Sequence, residues 1–198
     1  MRSSHAMSSE LDKIDDLLAA EFFDDPILKF AFPNTTGKRR RETMRRFFRI
    51  YVDLAIEYGG ILIAENNSGV LVYFRPEIMK MADEKSVLLD SQLRQECGSD
   101  YATVVAFMNG LSHHHPQTPP HYYIFLIAVQ RQYRRKGVAK SLLGELNIIL
   151  DSGGFSCYAE CTTLSSRSLF RFSGYHDTSP PLHIEGFPEL FPVWRNPQ

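Results

Sequence analysis

The apolar pattern of the chain is densest between residues 121 and 150. Tyr122 to Val129 is a nearly continuous apolar run, rich in aromatic and branched side chains, which is typical of a strand buried on both faces. After a polar turn, apolar residues return at helical spacing, at Val138, Leu142, Leu143, Leu146 and Ile149. The pattern therefore predicts a central strand, a turn and an amphipathic helix in direct succession.

Three helices are predicted in the first third of the chain. The first is Ser9–Phe23, with Ser8 or Ser9 as its N-cap, and an Asp-Asp-Pro sequence ends it because proline cannot continue a helix. Ile27–Phe32 is predicted as a short second helix. Lys38–Tyr58 has a continuous apolar stripe and is predicted as a long third helix, which two glycines end.

A hairpin and a helical insertion are predicted next. Ile61–Ala64 and Val70–Phe74 read as strands around the turn Glu65–Gly69, where asparagine and glycine allow positive φ. Met79–Met108 is mostly helical in pattern with a break near Cys97–Gly98. This insertion is a candidate for the acceptor wall, but the sequence does not decide whether residues 77–120 form the acceptor pocket.

The last third predicts a strand, a helix and a closing strand. Phe155–Cys161 is predicted as a strand with Tyr158 and Glu160 on one face and the cysteines on the other. Thr162–Ser173 is predicted as a helix, and Phe187–Pro197 contains the closing strand. We expect one α/β domain over residues 8–198, with a mixed, twisted sheet and helices on both faces; residues 1–7 resemble a cloning remnant and are set aside.

The turn after the central strand has the chemistry of an anion site. It carries four basic residues and is closed by Gly137: Arg131, Arg134, Arg135 and Lys136. The first turn of the following helix leaves backbone N–H groups unpaired, and glycine lets a ligand approach the backbone closely. We therefore predict a phosphate or pyrophosphate ligand, the alternative being a surface turn with solvated arginines. The glycine spacing is neither that of a P-loop nor that of a dinucleotide fingerprint.

Composition narrows the class of protein. The 198-residue chain is 43% hydrophobic, which suffices for one sizeable core, and its net charge of −1 gives no general attraction to nucleic acid or anionic lipid. Three cysteines form no disulfide framework and no metal motif, so we expect buried thiols in a reducing cytoplasm. No apolar run is long enough to span a bilayer, and no signal peptide is evident, so no membrane partner is expected.

Two polar clusters have a functional and a structural interpretation. The basic segment Lys38–Arg49 suggests RNA, a membrane or an acidic partner, but its continuous apolar stripe favours the solvated face of a packed helix. His113–His115 cannot converge on a metal ion, since consecutive side chains do not meet tetrahedrally, so we predict no metal and an irregular loop at the rim of the site. His121 is either a base or a structural histidine.

Several motifs resemble those of one enzyme family. Arg134-x-x-Gly137-x-Ala139 resembles the acetyl-coenzyme A loop of the GNAT superfamily of N-acetyltransferases, and ECTTLSSRSLFRFSGY, ending at Tyr175, resembles a further segment of that family. The FFDDPILKFAFP and FPVWRNP segments resemble the puromycin N-acetyltransferase-like branch. The resemblance covers most of residues 22–197.

The resemblance implies a splayed central strand pair with acetyl-coenzyme A in the slot. Its pantetheine arm would bond to the backbone near Ile127 and Val129, and its pyrophosphate would bind the loop. The residues expected to bind the coenzyme are Ile127, Ala128, Val129, Arg134, Arg135, Lys136, Gly137, Val138, Ala139, Lys140, Thr163 and Phe170. The resemblance also implies direct acetyl transfer to a primary amine of a small molecule or peptide.

The sequence departs from the family at the catalytic positions. Thr163 stands where asparagine is usual, Phe170 where a tyrosine acid is usual, and Phe125 where many relatives carry a carboxylate. We expect Glu160 to be the base because it faces away from the cysteines at the strand end beside the slot; the alternative is a salt-bridged or solvated strand-end carboxylate. We expect Ser166 to supply the proton to the leaving thiolate, with Tyr175, other serines of the 165–168 run or water as alternatives.

Because the sequence departs from the family at these catalytic positions, a second function is also compatible with it. A non-catalytic acetyl-coenzyme A-binding regulatory module would use the same loop. The sequence does not identify the amine, nor does it decide between a monomer and a homodimer.

Overall fold

The computed structural model describes residues 4–198, apart from the side chains of residues 4–8 and 79–84. Residues 1–3 of the segment set aside above lie outside this range, as do the side chains of Met79 and its neighbours at the start of the predicted insertion. Residues 79–84 lie within a helix whose backbone is described.

A mixed sheet of six strands organises the fold, in the order β1-β2-β3-β4-β6-β5. The strands are β1 Gly59–Ile63, β2 Gly69–Phe74, β3 His121–Val129, β4 Ser156–Cys161, β5 His176–Asp177 and β6 Phe191–Arg195. The central pair β3 and β4 is parallel, and the other neighbours are antiparallel. This confirms the predicted α/β fold class with its mixed sheet.

Helices cover both faces of the sheet. They are α1 Ser4–Glu21, α2 Pro26–Ala31, α3 Gly37–Tyr58, α4 Ile78–Cys97, α5 Tyr101–His114, α6 Val138–Gly153 and α7 Leu164–Phe172. One apolar core packs helices α1 to α5 against one face of the sheet, and a second packs α6 and α7 against the other. No helix in the described part of the chain is long and apolar enough to cross a membrane.

Most predicted elements are confirmed, and three details are wrong. Helix α1 begins at Ser4, so neither Ser8 nor Ser9 caps it. Leu150, not Ile149, completes the buried face of α6. His113 and His114 extend α5 by its last turn instead of forming a loop. In each case the local pattern is compatible with both outcomes, and tertiary packing decides.

The basic face of α3 packs against an acidic face of α1. Arg45 pairs with Asp12 and Asp16 at 2.9 and 3.0 Å. Arg49 Nε lies 2.6 Å from the buried Asp15 Oδ2. Burial raises the pKa of Asp15 to about 6 despite the arginine beside it. The amphipathic helix is confirmed, but these arginines are ion-paired and are not the solvated charges that the pattern predicts.

The central strands separate soon after they meet. β3 and β4 pair at only three positions, the last of which joins Tyr123 to Tyr158. A bulge in the β2–β3 register leaves Phe125 without a partner on β2, and β3 then continues beside β2 as far as Val129. β4 meanwhile continues beside β6. Backbone groups of Ile127–Val129 on the β4 side therefore have no strand to bond with, which is the splay that the family resemblance implies.

Candidate functional site

A cavity of about 1170 Å³ opens where the two central strands separate. Its floor is Ile127–Val129, and the loop after β3 and the start of α6 form one wall. Thr162–Leu169 contributes the opposite wall, and the ends of α1, α2 and α3 close the remaining side. The cavity is large enough to hold an extended cofactor arm.

The loop presents unpaired backbone donors to this cavity. Gly137 caps α6 with a left-handed φ of 84°, and Arg135, two residues before it, has a φ of 61°. The first hydrogen bond of the helix runs from Ser141 N to Gly137 O, so the N–H groups of Val138–Lys140 have no partner within the helix. No atom lies within 4 Å of the position that a Gly137 Cβ would take. The space above the glycine is open for an anionic ligand.

The basic side chains of the loop have different positions. Arg134 pairs with Glu21 of α1 at 2.6 Å and bonds to the Val129 carbonyl, so it fastens the loop to the fold. Arg134 also lines the cavity, together with Arg131, Arg135 and Lys140. Lys136 does not line it, and its Nζ lies 5.4 Å from the ring centroid of Tyr133.

Several cavity residues were not predicted from the sequence, among them Lys38, Arg41 and Asp25. Lys38 and Arg41, from the start of α3, face the cavity from across the loop. Asp25 also lines it, caps α2 and accepts a hydrogen bond from Thr162 Oγ1 at 2.6 Å. Burial raises the pKa of Asp25. The sequence carries no signal for these positions, because each meets the loop or β4 only through the fold.

The start of α7 contributes a capping box to the cavity wall. Thr163 and Ser166 both line the cavity and bond reciprocally. The Ser166 hydroxyl lies 2.9 Å from the Thr163 carbonyl, to which it donates. Phe170, predicted to touch the coenzyme, is buried against Tyr175 and does not line the cavity.

Glu160 lies on β4 two residues beyond the last β3–β4 pair, where the strands have parted. Its side chain is only 3% exposed and does not line the cavity directly. Burial raises the pKa of Glu160 to about 7, and hydrogen bonds from Tyr123 and Tyr158 offset part of this effect. A carboxyl with this pKa can release and accept a proton near neutral pH.

The insertion between β2 and β3 does not form a wall of this cavity. Among the described side chains of residues 77–120, none lines the cavity, so this insertion as described contributes no acceptor wall to it. The segment does supply His115, which is buried and whose Nδ1 lies 3.8 Å from Glu160 Oε1. Among the described residues, no three His, Cys, Asp or Glu side chains are placed to hold a metal ion.

The cysteines of β4 have the properties of inert thiols. Cys157 and Cys161 are buried, and burial raises the pKa of each to about 12. The thiolate, which is the nucleophile, is therefore scarce at neutral pH.

We expect Cys157→Ala and Cys161→Ala to keep kcat within about twofold of the wild type in amine acetylation, since neither thiol reacts. Steady-state kinetics on variants with native circular dichroism would check this. An acetyl-cysteine adduct trapped by rapid quench and identified by mass spectrometry would contradict direct transfer.

The comparisons agree with this geometry. The model of the acetyltransferase (GNAT) family matches residues 78–175, which include both central strands, the loop and α7. A search among curated proteins found no match.

Solved structures share the fold over nearly the whole chain. A histone acetyltransferase HPA2 and related acetyltransferase from Corynebacterium glutamicum is 20% identical, with a TM-score of 0.63 and 96% and 93% of the two chains covered. An N-acetyltransferase from Staphylococcus aureus is 16% identical, with a TM-score of 0.60 and 94% and 95% covered. Arylalkylamine N-acetyltransferase 2 from Aedes aegypti is 15% identical, with a TM-score of 0.59 and 96% of each chain covered.

The family model matches just under half of the chain, and the solved structures share its fold, so the chain is similar to acetyltransferases of the GNAT superfamily. Enzymes of this class use acetyl-coenzyme A as co-substrate. The puromycin N-acetyltransferase-like branch stays a prediction.

Proposed function

We propose that this protein is an acetyl-coenzyme A-dependent N-acetyltransferase that transfers acetyl directly to a primary amine of a small molecule or peptide. The observation that carries the proposal is one cavity with two features. Unpaired strand backbone at Ile127–Val129 forms its floor, and the Gly137 anion loop stands at its side. The neighbouring N-acetyltransferases, including one named for arylalkylamines, support an amine acceptor.

In this proposal the coenzyme follows the cavity. Its pyrophosphate accepts hydrogen bonds from the N–H groups of Val138–Lys140, with Arg135 and Lys140 adding positive charge. Its pantetheine amides bond to the free backbone of Ile127–Val129, as an added strand would. Thr163 borders the arm on the α7 side.

The chemistry is an addition and an elimination at the thioester carbonyl. A neutral amine adds to the carbonyl carbon, and a backbone N–H near Ile127 stabilises the oxyanion. The C–S bond then breaks, and coenzyme A leaves as a thiolate that takes up one proton. The nitrogen loses one proton, which Glu160 accepts. The transfer runs through water because the buried carboxyl, two residues beyond the last β3–β4 pair, does not itself line the cavity.

We propose Ser166 as the group that delivers the thiolate's proton. Among the candidate hydroxyls, Ser165 and Ser166 line the cavity, whereas Tyr175 is buried against Phe170 and does not. The hydroxyl of Ser166 has to leave the Thr163 carbonyl to act, and solvent then restores its proton.

Ser166→Ala is expected to lower kcat about tenfold, which is less than the usual effect of removing a general acid or base, because water can replace the serine as proton donor. The affinity for acetyl-coenzyme A should change little. Ser165→Ala is the matched control because it lines the same wall and forms no part of the capping box. Phe170→Tyr should leave the rate unchanged, since the ring lies outside the cavity lining. Wild-type turnover in Ser166→Ala would remove the serine from the mechanism.

The remaining expectations of the proposal concern partners and location. We expect a cytoplasmic protein of the puromycin N-acetyltransferase-like branch, with no nucleic-acid, membrane or metal requirement and with a homodimer as an assembly to test. Glycerol-gradient or light-scattering measurement of mass would decide the oligomeric state.

Calorimetry with coenzyme fragments tests the proposed binding mode. Acetyl-coenzyme A should bind at least tenfold more tightly than acetyl-pantetheine, which lacks the pyrophosphate, a difference of about 1.4 kcal/mol. Equal affinities would remove the loop from the site. Tight binding of acetyl-coenzyme A without turnover would favour the alternative, a non-catalytic module, to which Phe125 and Phe170 lend support because both lack a titratable group.

A further inference from the structure

A buried polar cluster adjoins Glu160 on the face of the sheet away from the cysteines. His115 follows the end of α5, and His121 begins β3. The two imidazoles stack with ring centroids 5.1 Å apart, and both side chains are more than nine-tenths buried. Tyr158 and Trp194 pack against His121, so solvent is excluded from the pair.

The hydrogen bonds of His121 fix its tautomer. Its Nδ1 lies 2.7 Å from the Pro119 carbonyl oxygen, which can only accept, so Nδ1 carries a proton. Burial lowers the pKa of His121, so the ring is neutral at neutral pH. A neutral imidazole has one N–H, and Nε2 of His121 is therefore an acceptor.

The tautomer of His115 follows from that of His121. The two Nε2 atoms lie 3.0 Å apart, and since His121 can only accept there, His115 must donate from Nε2. Burial and His121 lower the pKa of His115 to about 4, so this ring is neutral as well. Its Nδ1 is then a bare lone pair, and it faces Glu160 Oε1 at 3.8 Å.

The atom opposite this lone pair has no partner. Glu160 Oε1 is fully buried and makes no hydrogen bond. If Glu160 were ionised, the negatively charged Oε1 would face the lone pair of His115 Nδ1 in the protein interior, and the two would repel each other. A proton on Oε1 converts the repulsion into an O–H donor directed at Nδ1, and a movement of about 1 Å brings the two atoms to hydrogen-bond distance.

We propose that His115 and His121 are positioning residues for Glu160: anchored on the Pro119 carbonyl, they direct one imidazole lone pair at Oε1 and hold a proton on the Glu160 carboxyl in the resting protein. The role rests on the proposed function, in which Glu160 is the base. The two histidines thereby keep Glu160 from being fully ionised at neutral pH, so that its carboxyl exchanges between the protonated and the ionised form.

The groups around Glu160 agree with this assignment. His115 faces it from the end of α5, Tyr123 from β3 and Tyr158 from β4 itself, and these phenols stay neutral because burial raises their pKa values. On β6 its register partner is Pro192, which cannot titrate. Cys161, the next residue on β4, is held neutral by its raised pKa. None of these neighbours is a cation. The hydroxyls of Tyr123 and Tyr158 donate toward the carboxylate and lower the pKa of Glu160, but burial is the larger effect and raises it.

Nitrogen NMR of the free protein, with ¹⁵N-labelled histidine, tests the proposal without coenzyme or amine. We expect opposite tautomers at pH 6, with Nδ1–H on His121 and Nε2–H on His115. As pH rises through about 7, Glu160 ionises and the His115 Nδ1 resonance should shift. In Glu160→Gln the amide keeps a donor opposite Nδ1, so the tautomers should persist and the shift with pH should vanish.

The histidines supply the second arm of the test. In His121→Phe, which keeps a ring in the stack, His115 loses its acceptor and should no longer hold the single Nε2–H tautomer. A protonated Nδ1 on His115 at pH 6, the reverse tautomers, or a pH-dependent shift that survives in Glu160→Gln would overturn the proposal. Failure of the proposed acetyl transfer would not alter these spectra, so the two proposals can fail separately.

Discussion

Replacing Glu160 with glutamine is expected to lower kcat for amine acetylation by about 10²- to 10³-fold, because glutamine keeps the shape of the side chain and cannot accept the amine proton. The affinity for acetyl-coenzyme A should stay within about twofold of the wild type, since the residue does not line the cavity. Steady-state kinetics and calorimetry on the same preparation measure both quantities. Glu145→Gln, on the exposed face of α6, is the matched control.

The involvement of Glu160 also predicts how the rate changes with pH. Glu160 must be ionised to act as a base, and burial raises its pKa to about 7. The value of kcat/KM should therefore fall as pH drops below about 7, and the residual rate of Glu160→Gln should lack this step. A wild-type rate in Glu160→Gln, or an unchanged profile, would show that the proton goes elsewhere.

Replacing Gly137 with valine is expected to weaken acetyl-coenzyme A binding at least tenfold, or about 1.4 kcal/mol. The glycine has a φ of 84°, which a β-branched residue adopts only under strain, and the open space above it is where the pyrophosphate would approach. Calorimetric titration with acetyl-coenzyme A measures the effect.

Gly186 provides a matched control for this substitution. Its φ of 82° is nearly the same, no atom lies within 4 Å of its Cβ position, and it is not one of the residues that line the cavity. Gly186→Val should therefore cost similar folding stability while leaving acetyl-coenzyme A affinity intact. Equal affinity in a folded Gly137→Val protein would contradict the proposed pyrophosphate site.

The part of the site that could be predicted is contiguous in the sequence. Strand β3, the basic loop and α6 follow one another within residues 121–153, so the buried run, Gly137 and the helical spacing together predict the anion loop. The alternation along β4 likewise places Glu160 opposite the cysteines, as the structure shows.

The part that could not be predicted depends on contacts between distant segments. Arg41 and Asp25 reach the cavity because α2 and α3 pack beside a loop about a hundred residues further along the chain. His115 packs beside Glu160 and contributes to its burial. In the sequence His115 is the last of three consecutive histidines, and nothing in that run distinguishes it from His113 and His114. Helix α5 ends after His114, and this ending turns His115 inward.

Mass spectrometry of the products tests the central claim most directly. The wild-type protein would be incubated with ¹³C-acetyl-coenzyme A and a panel of primary amines that includes diamines, arylalkylamines and peptide N-termini. We predict a labelled acetyl amide on at least one amine, formed with an equal amount of free coenzyme A and lost in Glu160→Gln. Stoichiometric binding of acetyl-coenzyme A with no acetylated amine and no release of free coenzyme A across the panel would contradict the account and show a binding module instead.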